Sequence, residues 1–273
     1  MSSFYSFYTK GFGKISETAF KLFYMGDYQS CVQYYREIMP YVESIEALGF
    51  TDTLIYHHCS RQIGANVLDE VRVPTPPTKD EIVHLYNYEV SQENARNLNP
   101  RKNILVQPSI LNKAVLVAYI GLKNGCVQAI ETGTFLGSTS YLFSGIFDTV
   151  DTIEADPSLY YSAECWLTAR RSNTRCHLGD SVELLPEIMA NRHGKKLIFL
   201  DAHYSMGITS KKFGICPLLN ELDIVLGSSL KNVVVIDDIR CMETTGYPTL
   251  AEIFDRIPEG RSVNIQYDQL VII

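Results

Sequence analysis

Acidic residues that follow short apolar runs are the main candidates for a chemical role in this chain. The first run, 127–137, reads VQAIETGTFLG and places Glu131 shortly before Gly133 and Gly137. Glycines that follow a strand let bare backbone approach a charged ligand. The spacing matches neither the dinucleotide fingerprint nor the phosphate loop, and Glu131 would repel a pyrophosphate. The segment therefore favours a ligand with a cationic centre and an ammonium group.

Two later runs add the features of a nucleoside site. Segment 149–157 (TVDTIEADP) ends in acids that include Glu154, and segment 174–181 (TRCHLGDS) closes with Asp180 and Ser181. An acid at the end of a second strand can accept hydrogen bonds from both ribose hydroxyls. A carboxylate after the third strand can bind an adenine amino group. S-adenosylmethionine combines this nucleoside with a sulfonium and an ammonium group.

Two further apolar runs also end in carboxylates. Segment 196–202 (KLIFLDA) ends at Asp201, and segment 232–239 (NVVVIDDI) ends in Asp237 and Asp238. Each run is followed by a helical pattern or a loop, and this alternation predicts a parallel sheet with helices. Ligands of such sheets bind at the carboxyl ends of the strands. We therefore expect all of these acids to line one site.

From about residue 127 to residue 273, the chain resembles the class I S-adenosylmethionine-dependent methyltransferases. Segment 179–188 (GDSVELLPEI) is similar to the adenine-binding turn of the small O-methyltransferases, and segment 261–273 resembles the family's terminal hairpin, with a turn near Asp268. The resemblance implies an α/β enzyme with a Rossmann-like seven-stranded methyltransferase sheet. That sheet is mostly parallel, with an antiparallel C-terminal hairpin.

The resemblance also implies roles for individual residues. Glu154 would bind the ribose of S-adenosylmethionine, and Asp180 with Ser181 would bind the adenine. Asp201 would border the cofactor as well. The methionine end would be held by the residues of the first turn, which are Glu131, Gly133, Thr134 and Gly137.

The pattern of aspartates narrows the resemblance to metal-dependent O-methyltransferases of the catechol and macrocin types. These enzymes use one Asp after the fourth strand and two adjacent residues after the fifth, which correspond to Asp201, Asp237 and Asp238. Three carboxylates suit Mg²⁺, which would lower the pKa of an acceptor hydroxyl. The alternative is that these aspartates only cap the turns and helices that follow them.

The segment after Asp201, AHYSMGITSKKFG at 202–214, lies where an acceptor would bind. His203 is a candidate base because the pKa of histidine lies near working pH. Asp201 is the competing candidate. The catechol-type enzymes carry a lysine at the position of Tyr204, so their base is not transferred to this chain.

The first hundred residues have apolar residues at helical spacing. This pattern predicts a helical N-terminal extension (1–100) before the methyltransferase domain (101–273). The proline-rich segment 71–79 is expected to be a linker or an exposed turn. This extension could cap the acceptor pocket or form a homodimer surface. His57 and His58 point about 100° apart on a helix, which favours a structural role. Helical patterns cover 18–24, 28–41, 42–48, 53–65, 79–97 and 109–123.

Composition limits the classes of partner. The 273 residues are 46% hydrophobic and carry a formal net charge of -7, which argues against nucleic acid as the main partner. No apolar run is long enough to span a membrane, and the first residues do not form a secretion signal. Seven scattered cysteines without a C-x-x-C pattern indicate reduced thiols and a cytoplasmic protein.

The sequence therefore predicts methyl transfer from S-adenosylmethionine to a hydroxyl of a small polar acceptor, with magnesium as a second cofactor. The macrocin-type resemblance favours a sugar as that acceptor. Two alternatives stay open. One is a metal-independent methyltransferase that acts on nitrogen or on a protein, and the other is a non-catalytic nucleoside-binding subunit.

Overall fold

The computed structural model describes residues 17–38, 50–65, 75–87, 110–190, 194–202, 216–228 and 232–273. Seven strands in these segments form one sheet: β1 (Gln128–Thr132), β2 (Thr149–Glu154), β3 (Thr174–Leu178), β4 (Lys196–Leu200), β5 (Val233–Ile236), β6 (Val263–Gln266) and β7 (Gln269–Ile272). The strand order is β3-β2-β1-β4-β5-β7-β6. Strands β1 to β5 are parallel, whereas β7 is antiparallel to both β5 and β6. The predicted Rossmann-like sheet with a C-terminal hairpin is therefore confirmed.

Ten α-helices lie in the described segments. They are α1 (Glu17–Tyr24), α2 (Tyr28–Ile38), α3 (Phe50–Gln62), α4 (Lys79–Leu85), α5 (Ile110–Lys123), α6 (Ser138–Phe143), α7 (Pro157–Arg170), α8 (Ser181–Ala190), α9 (Leu218–Leu226) and α10 (Leu250–Phe254). Buried side chains of α1 to α7 pack over one face of the sheet, and those of α8 to α10 pack over the other. The sheet therefore lies between two helical layers, as in other open α/β folds.

The central strands β4 and β5 are buried at every position. Successive side chains of a strand point to opposite faces, so each of these strands contributes to both cores. In β4, Leu197 and Phe199 contact the first helical layer, whereas Ile198 and Leu200 contact the second. Continuous apolar runs of this kind are typical of parallel strands that are covered on both sides.

Two local signals fix where helices begin. Thr78 and Glu81 form a reciprocal capping box at the start of α4. The carboxylate of Asp156 accepts hydrogen bonds from the backbone N–H groups of Ser158 and Leu159, at 2.8 and 3.1 Å, and so caps α7. This acid, which follows β2, therefore caps a helix.

Most of the predicted helices are present, with shifted ends. The helix predicted at 53–65 begins earlier, at Phe50, and ends at Gln62. The predicted helix 42–48 and the predicted boundary near residue 100 lie outside the described residues. The proline-rich segment is irregular at 75–78, but Pro76 and Pro77 are buried and not exposed as predicted, because they pack against Gly145.

The N-terminal helices share their core with the sheet. The ring of Phe50 on α3 lies 5.9 Å from the ring of Trp166 on α7, and Phe23 of α1 lies 5.9 Å from Phe135 in the turn after β1. His57 and His58 are buried in the same layer. The helical extension is therefore packed beside the turn that was predicted to bind the cofactor.

None of the described helices combines the length and the apolar character that crossing a bilayer requires. All seven cysteines are free thiols, as predicted. Cys126 is buried, whereas Cys165 and Cys216 are only partly buried.

Candidate active site

Glu131, at the end of β1, is buried and hydrogen-bonded inside the protein. Its Oε2 accepts hydrogen bonds from the hydroxyls of Ser140 and Thr152, the latter at 2.8 Å. Because Thr152 donates its one hydroxyl proton to Glu131, the neighbouring Thr134 must donate to Thr152 across 2.6 Å. Burial raises the pKa of Glu131 to about 7. Glu131 is thus connected through Thr152 to Thr134 of the first turn.

The two glycines of the first turn have different structural roles. Gly133 has a φ of +87°, and a Cβ there would lie 2.5 Å from the backbone carbonyl oxygen of Asp201. Gly137 has a φ of +84° and lies against Leu167 and Trp166 of α7. Gly133 therefore lets the ends of β1 and β4 approach each other, and Gly137 lets α6 begin close to α7.

Glu154, at the end of β2, is oriented by two backbone N–H groups. Its Oε2 accepts from Phe135 at 2.8 Å and its Oε1 accepts from Asp156 at 2.9 Å. Burial raises the pKa of Glu154 to about 7, although these hydrogen bonds oppose the shift. Phe135 has a φ of +51°, which is unusual for a bulky residue, so its N–H points at the carboxylate through a constrained turn. Glu154 links the ends of β1 and β2 at the predicted ribose position.

Asp180 and Ser181 follow β3 and begin α8. The Oδ1 of Asp180 accepts a hydrogen bond from the N–H of Val182 at 2.8 Å. Both predicted adenine-binding residues are largely buried. The order of strands places them on the far side of Glu154 from Glu131, as a nucleoside that extends across β1, β2 and β3 would require.

The three predicted metal ligands are brought together at the ends of β4 and β5. Asp201, Asp237 and Asp238 each offer a carboxylate oxygen, and these oxygens lie within 4.8 Å of one another. Asp237 is held from the side by Gln269 of β7, whose Nε2 donates to its Oδ1 at 3.3 Å. Burial raises the pKa of Asp237, and the nearby Asp201 adds to this shift. The group has the hard oxygen ligands that magnesium prefers.

Lys113 of α5 lies in this cluster, and it was missed in the sequence. Its Nζ lies 3.2 Å from Oδ2 of Asp201 and forms an ion pair with Oδ2 of Asp237. It also lies 5.6 Å from the centroid of the Phe199 ring. Burial alone would lower the pKa of Lys113, but the surrounding carboxylates outweigh it and raise this pKa. The available signal was the position of Lys113 directly before an uncharged apolar stretch, 114–122. The next charged residue of α5 is Lys123.

A second cation, Arg240, pairs with Asp238, the third carboxylate of the cluster. Its Nη1 lies 2.6 Å from Oδ1 of Asp238 and also pairs with Asp268, which is buried in the turn between β6 and β7. The backbone N–H of Arg240 donates to Asp268 Oδ1 at 2.7 Å. Asp238 has a φ of +53°. The C-terminal hairpin therefore orients Asp238 through Arg240, which was also not predicted.

The structure describes only one of the two candidate bases. Asp201 lies in the cluster, whereas His203 lies outside the described residues, so its predicted role stays a prediction.

A small cleft adjoins Asp237. It is lined chiefly by apolar side chains, among them Leu218, Met242 and Tyr247.

Comparisons with known proteins were made for the sequence and for the fold. No protein-family model matches the sequence, and no curated protein matches it significantly. Similar solved structures include the O-methyltransferase TomG from Streptomyces achromogenes in complex with SAM, at 17% identity over 71% of this chain and 96% of that chain, with a TM-score of 0.42.

Two further solved structures are similar to the chain at the same level. The O-methyltransferase from Bacillus cereus in complex with SAH is 16% identical over 71% of this chain and 96% of that chain, with a TM-score of 0.41. The N-methyltransferase NodS from Bradyrhizobium japonicum WM9 is 14% identical over 67% and 96%, with a TM-score of 0.41. At such low identities and TM-scores, these likenesses carry no weight for the ligands of this chain.

Proposed function

We propose that this protein transfers a methyl group from S-adenosylmethionine to a hydroxyl of a small polar acceptor. One observation carries the proposal: carboxylates end five adjacent parallel strands at one edge of the sheet. They are divided into a nucleoside half on β1, β2 and β3 and an aspartate cluster on β4 and β5. A two-part site of this kind suits a cationic nucleoside cofactor beside an acceptor whose hydroxyl must lose a proton.

The nucleoside half supports binding of the cofactor. Glu154 is held by two backbone N–H groups, and its remaining lone pairs can accept the ribose hydroxyls. Asp180 follows the next strand along, where an adenine would lie if Glu154 binds the ribose. Gly133 lets the ends of β1 and β4 meet beside the proposed methionine position, and an ionised Glu131 would place negative charge near it. A sulfonium is attracted by this charge, whereas a pyrophosphate would be repelled.

The aspartate half supports a hydroxyl acceptor. Asp201, Asp237 and Asp238 would hold a magnesium ion, because their carboxylate oxygens are the hard ligands that it prefers and lie within 4.8 Å of one another. Bound there, the ion would lower the pKa of the acceptor hydroxyl. A sugar hydroxyl fits this chemistry, and the macrocin-type resemblance favours it.

The reaction itself needs alignment more than covalent help. The acceptor oxygen attacks the methyl carbon as the bond from sulfur to that carbon breaks, which releases neutral S-adenosylhomocysteine. The hydroxyl proton passes to a base, for which His203 and Asp201 are the candidates. The protein's contribution is to hold the two partners in line and close together.

Calorimetric titration with S-adenosylhomocysteine tests the cofactor half. We expect wild type to bind it at about micromolar strength, a typical cofactor affinity near -8 kcal/mol. Glu154→Ala should weaken this binding, and Asp237→Ala should leave it unchanged. Asp223→Ala, at an exposed carboxylate of α9, is the matched control. Absence of binding to wild type would contradict the proposal.

A metal-independent methyl transfer, to nitrogen or to a protein, is the second candidate. Lys113 favours it, because an ammonium already lies between Asp201 and Asp237 and can supply positive charge there. The discriminating measurement is turnover of S-adenosylmethionine with EDTA in excess, across acceptors that carry hydroxyl or amino groups. Turnover that EDTA abolishes supports the metal-assisted reaction, and turnover that persists supports the second candidate.

A further inference from the structure

Lys113 lies at the point where the proposed metal would bind. Its ammonium contacts Oδ2 of Asp201 at 3.2 Å and Oδ2 of Asp237, which are two of the three carboxylates of the cluster. The lysine comes from α5, which precedes β1 and begins at the carboxyl edge of the sheet. Its side chain is 17% exposed, so it reaches the cluster from a partly open side.

An ammonium and a divalent ion cannot share these two oxygens. Magnesium binds carboxylate oxygens at about 2.1 Å, whereas an ammonium contacts them at about 2.8 Å. Two cations on the same pair of oxygens would be in mutual contact and would repel each other strongly in this buried place. Occupation by one therefore requires that the other move away.

The local charge leaves room for a divalent ion after such a movement. Lys113 pairs with Asp201 and Asp237, so its departure leaves both carboxylates able to bind another cation. Arg240 is fixed between two carboxylates, whereas Lys113 has a long, flexible side chain.

We propose that Lys113 is the resident cation of the three-aspartate site: its ammonium neutralises Asp201 and Asp237 when no divalent ion is bound, and a divalent ion enters only when the ammonium leaves them. This proposal rests on the metal-assisted form of the proposed function. Lys113 is thus a positioning residue that keeps the carboxylates together and sets the apparent affinity of the site. If the ammonium occupies the oxygens nine-tenths of the time, the divalent ion binds about tenfold more weakly than it otherwise would.

The test uses Mn²⁺ as the probe and the full chain as the protein. Binding is measured by electron paramagnetic resonance and by calorimetry, so the readout does not depend on turnover. We expect Lys113→Met to bind Mn²⁺ about tenfold more tightly than wild type. Lys123→Met is the matched control, because Lys123 is exposed at the far end of the same helix, and it should bind Mn²⁺ as wild type does.

Thermal unfolding provides a second readout. Without metal, Lys113→Met removes the ammonium that pairs with Asp201 and Asp237, so the variant should unfold at a lower temperature than wild type. Mn²⁺ should raise the unfolding temperature of the variant more than that of wild type. If Lys113→Met does not fold, Lys113→Gln removes the charge but keeps a hydrogen-bond donor, and the same two measurements apply to it.

Equal Mn²⁺ affinity of wild type and the folded Lys113 variants would overturn the proposal, and so would failure of all of them to bind Mn²⁺. S-adenosylhomocysteine titrated into the same samples separates this failure from that of the proposed function. Retained cofactor binding without Mn²⁺ binding overturns the role of Lys113 and leaves methyl transfer standing. Loss of cofactor binding in wild type contradicts methyl transfer itself.

Discussion

The indole Nε1 of Trp166 donates a hydrogen bond to the backbone carbonyl oxygen of Leu136 at 3.1 Å. This contact ties α7 to the turn after β1, where Gly137 lies against the same indole ring. The turn that we propose to hold the methionine end of the cofactor is therefore supported from behind by one buried aromatic side chain.

Trp166→Phe should weaken this support. The variant leaves the carbonyl of Leu136 without its donor and reduces the packed volume, so we expect a loss of about 1–3 kcal/mol in the free energy of unfolding. Binding of S-adenosylhomocysteine should also weaken. Urea unfolding and calorimetry measure the two effects. Tyr161→Phe, at an exposed position of the same helix, is the control and should change neither.

Gly133→Ala should disrupt both halves of the site. Its Cβ would lie 2.5 Å from the carbonyl oxygen of Asp201, in addition to the strain of a φ of +87°. Gly125→Ala is the matched control, because Gly125 has a φ of +71° and no atom within 4 Å of the added carbon.

We expect Gly125→Ala to cost about 1 kcal/mol through backbone strain alone, and Gly133→Ala to cost about 1–3 kcal/mol more. Both losses are measured by chemical unfolding. If the two variants lose equal stability, the close approach of β1 and β4 does not require a glycine.

Cofactor binding should depend on pH through Glu154. Burial places the pKa of this carboxyl at about 7, and its ionised form is the better acceptor for ribose hydroxyls. Affinity for S-adenosylhomocysteine should therefore rise as the pH increases from 6 to 8 and then level off. Calorimetry at several pH values measures this dependence.

Glu154→Gln should bind more weakly at pH 8, with a flatter dependence on pH. Glu131 also has a pKa of about 7, so Glu131→Gln is measured beside it. If the dependence on pH disappears in Glu131→Gln and persists in Glu154→Gln, the role given to Glu154 is wrong.

Acid should destabilise the protein through His58. Burial lowers the pKa of this imidazole to about 4, and the rings of Phe23 and Tyr28 lie 5.3 and 5.4 Å away. Between pH 6.5 and 4, the imidazole of the unfolded chain binds a proton that the buried imidazole of the folded chain does not bind. The contribution of neutral His58 to the free energy of unfolding is therefore complete above pH 6.5 and is lost as the pH falls.

The difference in stability between His58→Phe and wild type isolates this effect from that of other titrating groups. It should shift in favour of the variant by up to about 3 kcal/mol between pH 7 and pH 4. Urea unfolding at a series of pH values measures it. A difference that does not change with pH would mean that His58 is charged in the folded state or has little influence.

Local patterns determined the sheet and most of the candidate site. Apolar runs that end in acids predicted five parallel strands, and the side of the sheet followed because parallel strands end at one edge. Asp201, Asp237 and Asp238 could be grouped in this way without knowledge of any distance. The turn near Asp268 likewise predicted the C-terminal hairpin.

Which charges meet in the site depends on contacts between distant parts of the chain. Lys113 and Asp201 are 88 residues apart and come from different elements, so no spacing in the sequence relates them. Similarly, Ser140 and Thr152 donate to Glu131 from a helix and from a neighbouring strand, and Asp268 pairs with Arg240 from 28 residues away. Sequence patterns indicate which carboxylates share an edge, because strands that alternate with helices run parallel and end at the same edge. Their partners, and therefore their charge states, depend on side chains that only the fold brings into contact.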